Sequence, residues 1–203
     1  TLRASEQDRP DIARARREWK RRQAGLDPAK LIFLDESGAK TNMTRLRGRA
    51  LRGQRVHAKS PHGHWRTTTM LCAIRMDGST ACMAVDGPTD TEVFRAYVEG
   101  VLCPTVKEGD MVVMDNLSPH KSEATRSVLK AAGAQVMFLP AYSPDLNPIE
   151  NMWSKVKNHL RGQEARSDSE RIGAIASALK TIPRQDATNW FAHCGTVLLM
   201  YSN

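Results

Sequence analysis

Met111-Val112-Val113-Met114-Asp115 is a short apolar run closed by a single acid, and Leu31-Ile32-Phe33-Leu34-Asp35 repeats the pattern. Both runs are too short for a core helix and show no polar alternation. They read as strands covered on both faces of a sheet. Val136-Met137-Phe138-Leu139 is a third run of the same kind, and residues 67–76 and 79–85 are β-rich stretches joined by the hairpin turn Asp77-Gly78. Helical signals fall between them. Thr89 with Glu92 three positions on reads as a capping box, and the helix behind it would bury Val93, Phe94, Tyr97, Val98, Val101 and Leu102. A second helix runs from Ser122 to about 132 and stops at Gly133, and a third starts at Pro148 with Asn147 as its cap. Weaker helical patterns cover about 169 to 180 and 187 to 199. The order predicts an α/β fold, a mixed sheet with helices on its faces.

Ligand sites in such folds gather at the carboxyl ends of buried strands, where Asp35 and Asp115 are expected. Glu150 stands at the third position of the helix that begins at Pro148. A glutamate there closes a capping box and suits the positive helix end, so capping is one reading of it. The other is catalytic. Two carboxylates at strand ends and one at a helix start can converge on one point. They repel one another unless a hard cation neutralises them, and all-oxygen ligation favours Mg²⁺ or Mn²⁺, two ions in a phosphoryl-transfer site. Glu36 follows Asp35 directly and should point to the other face of the strand. Asp145, between prolines, should shape its turn.

The chain is 203 residues long with 40% hydrophobic residues, enough for one medium domain with a real core. Its net charge of +8 and pI of about 9.6 point to a polyanionic partner, most simply nucleic acid. Arg45, Arg47, Arg49, Arg52 and Arg55 crowd one stretch, and the alternation of the first three would put them on one face of an extended segment. Lys157 and Arg161 share a helical face with Glu150 and Ser154, opposite Ile149, Met152, Trp153, Val156 and Leu160. His120 and Lys121, just after Asp115, are further candidates for DNA contact.

Residues 1–29 form a basic helix with Ile12, Trp19 and Leu26 at seven-residue intervals. It is either a linker packed on the domain or a DNA or dimer contact. The core domain is expected over 30–165, with a helical extension over 166–203. Cys72, Cys82, Cys103 and Cys194 form no close motif, so neither a disulfide framework nor a zinc ribbon is expected and a reducing, cytoplasmic setting is the default. His62 and His64 have no partner at zinc-ligand spacing. No apolar stretch approaches the roughly 18 residues of a membrane span. The chain opens with Thr1, which reads as a fragment of something longer.

Asp115-Asn116-Leu117-Ser118-Pro119-His120-Lys121 and Leu139-Pro140-Ala141-Tyr142-Ser143-Pro144-Asp145-Leu146-Asn147-Pro148-Ile149-Glu150 resemble signature blocks of the IS630–Tc1–mariner transposases. Leu34-Asp35-Glu36-Ser37-Gly38, Gly48 to Arg55 and Pro61-His62-Gly63-His64-Trp65 resemble its IS630 branch. The likeness covers roughly residues 30 to 162, and the 34 residues between Asp115 and Glu150 match the spacing of that branch. It implies an RNase H-like catalytic domain in which Asp35, Asp115 and Glu150 hold two Mg²⁺ or Mn²⁺ ions. One ion activates the attacking oxygen and the other stabilises the leaving oxygen. It further implies hydrolysis at transposon ends, transfer of the freed 3′-hydroxyl into target DNA, a homodimer on DNA, and a bacterial, nucleoid-associated setting. The helix-turn-helix domains of such enzymes are not visible, so end-specific recognition is expected to be weak in this chain. Two other readings stay open: a DNA-binding derivative without catalysis, and a nuclease without strand transfer.

Overall fold

The apolar runs become the middle of a five-stranded sheet in the computed structural model, which describes residues 4–57, 59–60, 63, 65–116 and 122–196. The strands are β1 (Leu31–Lys40), β2 (Thr67–Arg75), β3 (Thr80–Asp86), β4 (Met111–Met114) and β5 (Gln135–Phe138), in the order β3-β2-β1-β4-β5. β1, β2 and β3 are antiparallel neighbours, whereas β1–β4 and β4–β5 are parallel, so the sheet is mixed. The helices are α1 (Pro10–Gln23), α2 (Thr91–Tyr97), α3 (Glu123–Ala131), α4 (Pro148–Gln163), α5 (Asp168–Lys180) and α6 (Arg184–His193).

Strand alternation divides the core in two. Leu31, Phe33 and Val113 point to a layer with Trp19 of α1, Ile149, Met152, Trp153 and Val156 of α4, Ile175 of α5 and Phe191 of α6. Ile32, Leu34, Val112 and Met114 point the other way, onto Phe94 and Tyr97 of α2 and Leu129 of α3. Leu31 to Leu34 of β1 and most of β4 are thus buried on both faces, which is why they carry no polar alternation.

Three expectations are corrected. β1 does not stop at Asp35: it runs on to Lys40 because β2 keeps pairing with it, from Ile32↔Arg75 to Lys40↔Thr67. Only its parallel pairing with β4 ends early, at Phe33↔Val113. The cap of α2 is Asp90, whose side chain accepts from the Val93 amide, and Thr89 lies one residue too early with its hydroxyl buried and unpaired. Cys72 and Cys82 face each other across β2 and β3 with Cα atoms 4.1 Å apart, their sulfurs at bonding distance. They stand ten positions apart around the Asp77-Gly78 turn, so hairpin register, which sequence spacing does not reveal, makes the pair. The segment carrying Arg45 to Arg55 belongs to no strand, so no sheet enforces the alternation of its arginines.

Candidate active site

Asp35 and Asp115 lie two residues beyond the last parallel pair, Phe33↔Val113, on adjacent strands. Alternation turns both toward the α4 side of the sheet, since Phe33 and Val113 already pack there. Glu150 arrives from the first turn of α4, the helix packed on that face. The three acids line one recess of about 440 Å³, together with Asn116, Asn147 and the loop from Leu139 to Pro144. Glu36, the neighbour of Asp35, is not among its lining residues.

The recess has the electrostatics of an acid cluster. Burial pushes the Glu150 carboxyl up from its ordinary value; Lys157 pulls it down, and Asp115 adds to the rise. Glu150 and Asp115 therefore feel each other's charge. Asp35 accepts a hydrogen bond from the Glu36 amide (2.8 Å) at Oδ1 and from Asn147 Nδ2 (3.3 Å) at Oδ2. Among the described residues no three His, Cys, Asp or Glu side chains close tightly enough around one point to hold a metal ion as placed. The donor set nonetheless suits a hard divalent cation: carboxylates and amides, with no thiol or imidazole among the described residues of the wall.

The capping reading of Glu150 is not realised through its partner, because the Asn147 side chain makes no cap hydrogen bond. Asp145 does more than shape a turn. It accepts two hydrogen bonds from Arg16 of α1 (2.9 and 2.6 Å), and Arg16 also donates to Ser143 Oγ (2.7 Å). Gln7 Nε2 donates to the Tyr142 carbonyl (2.6 Å). The N-terminal segment thereby ties down the loop that walls the recess. Gln23, buried at the other end of α1, donates to the Cys194 carbonyl and Thr196 Oγ1. Tyr142 holds a left-handed backbone (φ 55°) with its ring half exposed at the rim. Gln7, Arg16, Tyr142 and Asn147 were not singled out as site residues by the sequence; only the strain-free turn residues one would expect at a positive φ are missing at Tyr142.

Of the basic candidates, Lys157 is the one whose charge reaches Glu150. Arg45, Arg47, Arg49, Arg52 and Arg55 are all exposed and none lines the recess. The Arg45 guanidinium reaches α4, 3.6 Å from where a Cβ on Gly162 would stand. Arg166 fixes the base of this segment by donating to the carbonyls of Thr41 and Met43, both at 2.8 Å, a role with no sequence signal. Lys157 and Arg161 sit half-buried along α4 beyond Glu150, and Arg161 donates to Asn158 Oδ1 (3.0 Å). His120 and Lys121 lie outside the described residues, as do His62 and His64; the last helix ends at His193 with Cys194 as its C-cap, short of the expected 199.

Residues 30–172 match the family model described as DDE superfamily endonuclease. The chain is similar to the Tcb2 transposase of Caenorhabditis briggsae, 27% identical over 103 residues, covering 49% of this chain and 38% of that one. It is 32% identical to the Tc1 transposase of Caenorhabditis elegans over 91 residues, 45% of this chain and 33% of that one. The chain thus spans little more than a third of the length of these relatives. Its structure is similar to that of Mos1 transposase in a strand transfer complex (TM-score 0.76, 14% identity, 96% of this chain and 60% of that one). The catalytic domain of Mos1 alone gives a TM-score of 0.64 at 12% identity, covering 96% and 91%. The fold is the RNase H-like one that the sequence resemblance implies.

Proposed function

The chain belongs to the DDE superfamily endonucleases, and on that premise we propose that it is the catalytic portion of a cut-and-paste DNA transposase. The observation that carries this reading is the convergence of Asp35, Asp115 and Glu150, from β1, β4 and α4, on a single recess. In this reading Asp35 and Asp115 are the principal ligands of Mg²⁺ or Mn²⁺, and Glu150 completes the site. Support for a divalent ion comes from the all-oxygen wall and from the mutual repulsion of Asp115 and Glu150, which a cation would relieve. Mos1 catalytic-domain structures with Mg and with Mn are among those of similar fold.

The bound ions would supply Lewis-acid charge to the attacking and leaving oxygens of a phosphodiester. The protein's own part is positioning. Lys157 offsets part of the rise that burial and Asp115 impose on the Glu150 carboxyl. The contacts of Arg16 of α1 and of Gln7 just before it keep the loop wall in place. Arg45 to Arg55, Lys157 and Arg161, with His120 and Lys121, would bind backbone phosphates of double-stranded DNA, both transposon ends and target. Water first hydrolyses the strand at the transposon end, and the freed 3′-hydroxyl then attacks target DNA. Joining two ends calls for a homodimer on the DNA, acting at the bacterial nucleoid in the cytoplasm. No described helix is long and apolar enough to cross a membrane.

The test is nicking of supercoiled plasmid in Mn²⁺, with EDTA and Asp115→Asn as controls. Nicking that needs Mn²⁺ and is lost in the variant supports the reading, and joined donor–target products extend it to strand transfer. Unchanged nicking by a folded Asp115→Asn protein would sink it.

A further inference from the structure

We propose that Asn147 is a positioning residue for Asp35, holding that carboxylate at the angle the acid recess requires; this rests on the proposed metal-dependent function. Asn147 occupies the N-cap of α4, with an extended backbone (φ −109°, ψ 105°) and a residue type well suited to capping. Its side chain nevertheless makes no cap hydrogen bond. Nδ2 instead donates to Asp35 Oδ2 at 3.3 Å, across 112 positions of sequence. The residue is 3% exposed, and its Oδ1 is buried with no hydrogen-bond partner among the described residues. A forgone cap and an orphaned buried acceptor both cost stability. A purely structural residue at this position would avoid both by turning its amide back onto the helix.

What the arrangement gains is a fixed carboxylate. Strand pairing with β2 sets the backbone of Asp35, through the pair Asp35↔Cys72, but leaves its two side-chain torsions free. The Glu36 amide holds Oδ1 from within the same strand. Asn147 holds Oδ2 from α4, the helix that also delivers Glu150 three residues later. One helix start thus presents one acid and orients another. The chemistry selects asparagine: an amide N–H supports a carboxylate without adding a charge that competes with a cation. Aspartate would cap at least as well but repel Asp35, and serine would cap without reaching it.

The experiment compares the full chain with Asn147→Ser and Asp35→Asn, without DNA. Mn²⁺ affinity is measured by calorimetric titration, and the unfolding midpoint is read in EDTA. DNA retention in EDTA provides a third readout. Asn147→Ser is expected to weaken Mn²⁺ binding by about tenfold or more, the usual effect of removing a hydrogen-bond partner of a ligand. Its midpoint in EDTA should equal or exceed that of the parent, because serine restores the cap, and DNA retention should not change. Parent-like Mn²⁺ affinity in Asn147→Ser, with binding lost in Asp35→Asn, overturns the positioning role and leaves the function standing. A serine variant that unfolds, or melts well below the parent in EDTA, assigns Asn147 a structural role and also overturns it. Absence of Mn²⁺ binding by the parent chain overturns both.

Discussion

Asp35, within β1, and Asp115, the first residue after β4, each stand two residues past the parallel pair Phe33↔Val113. β1 goes on beyond that level, supported by β2, while the chain leaves β4 after Met114. The parting of the two strands opens the sheet at the level of the acids, on the face that α4 covers. Glu150 enters there because Pro148 and Ile149 are buried beneath the first turn of the helix, which leaves the next position facing the recess. Sheet register and the packing of α4 bring the three acids to one recess.

Replacing any one acid by its amide should therefore remove cleavage without disturbing the fold. Asp35→Asn, Asp115→Asn and Glu150→Gln are expected to lower Mn²⁺-dependent plasmid nicking by about two orders of magnitude or more, since outer partners of metal ligands alone are worth ten- to a hundredfold. Circular dichroism should be unchanged. A variant that nicks at the parent rate would remove that residue from the site.

The contacts of α1 predict that a residue far from the acids in sequence supports them. Arg16→Ala removes the hydrogen bonds to Asp145 and Ser143 and frees the loop that walls the recess. After allowance for the solvent exposure of Asp145, the loss should be about 1 kcal/mol, read from urea unfolding at pH 7. The Arg16 hydrogen bond holds the Asp145 carboxyl below its ordinary value of 3.8. The stabilisation is thus present above that value and disappears as pH falls through the lower, folded-state one. Parent and variant should converge in acid; a gap that persists below pH about 3 would mean the contact is not ionic in origin.

Much of this was legible in the sequence, and the exceptions have physical reasons. The buried strands, the Asp77-Gly78 hairpin, the burial of one face of α4 and the presence of Asp35 but not Glu36 on the recess all follow from local periodicity, and the structure carries them. What local pattern could not show is which neighbour keeps a strand going. β1 continues past Asp35 only because β2 pairs with it, and Cys72 meets Cys82 only through that hairpin's register. The Arg16–Asp145 and Asn147–Asp35 contacts join residues more than a hundred positions apart, beyond the reach of any periodicity. Asn147 was legible as a cap; that its side chain abandons the cap was not.

The arginine segment predicts a salt effect. Arg45, Arg47, Arg49, Arg52 and Arg55 are exposed, and Arg166 anchors the base of the segment against the start of α5. If these side chains neutralise phosphates, each alanine substitution should weaken DNA binding whatever the sequence. It should also reduce the slope of log affinity against log salt by about 0.9. Filter binding over a range of salt concentrations measures both. An unchanged slope in the fivefold alanine variant would place the DNA elsewhere on the protein.

Glu150 gives the last prediction, because its protonation links stability to function with opposite signs. Burial raises its carboxyl above the ordinary 4.5, Lys157 opposes the rise and Asp115 adds to it. A carboxyl whose folded-state value is raised stabilises the fold below its unfolded value and loses that contribution as pH rises through the folded one. In EDTA at neutral pH the ionised Glu150 is therefore a modest burden, within about 1 kcal/mol given its solvent contact. Glu150→Gln should raise the unfolding midpoint in EDTA at pH 7.5, with the gain shrinking in acid and gone below 4.5. Added Mn²⁺ should reverse the order, since only the parent carboxylate can bind it, and nicking should fade as acid protonates Glu150. Midpoints in EDTA that coincide at every pH would show that the clustered acids are not electrostatically strained, and that Glu150 meets Asp115 only weakly.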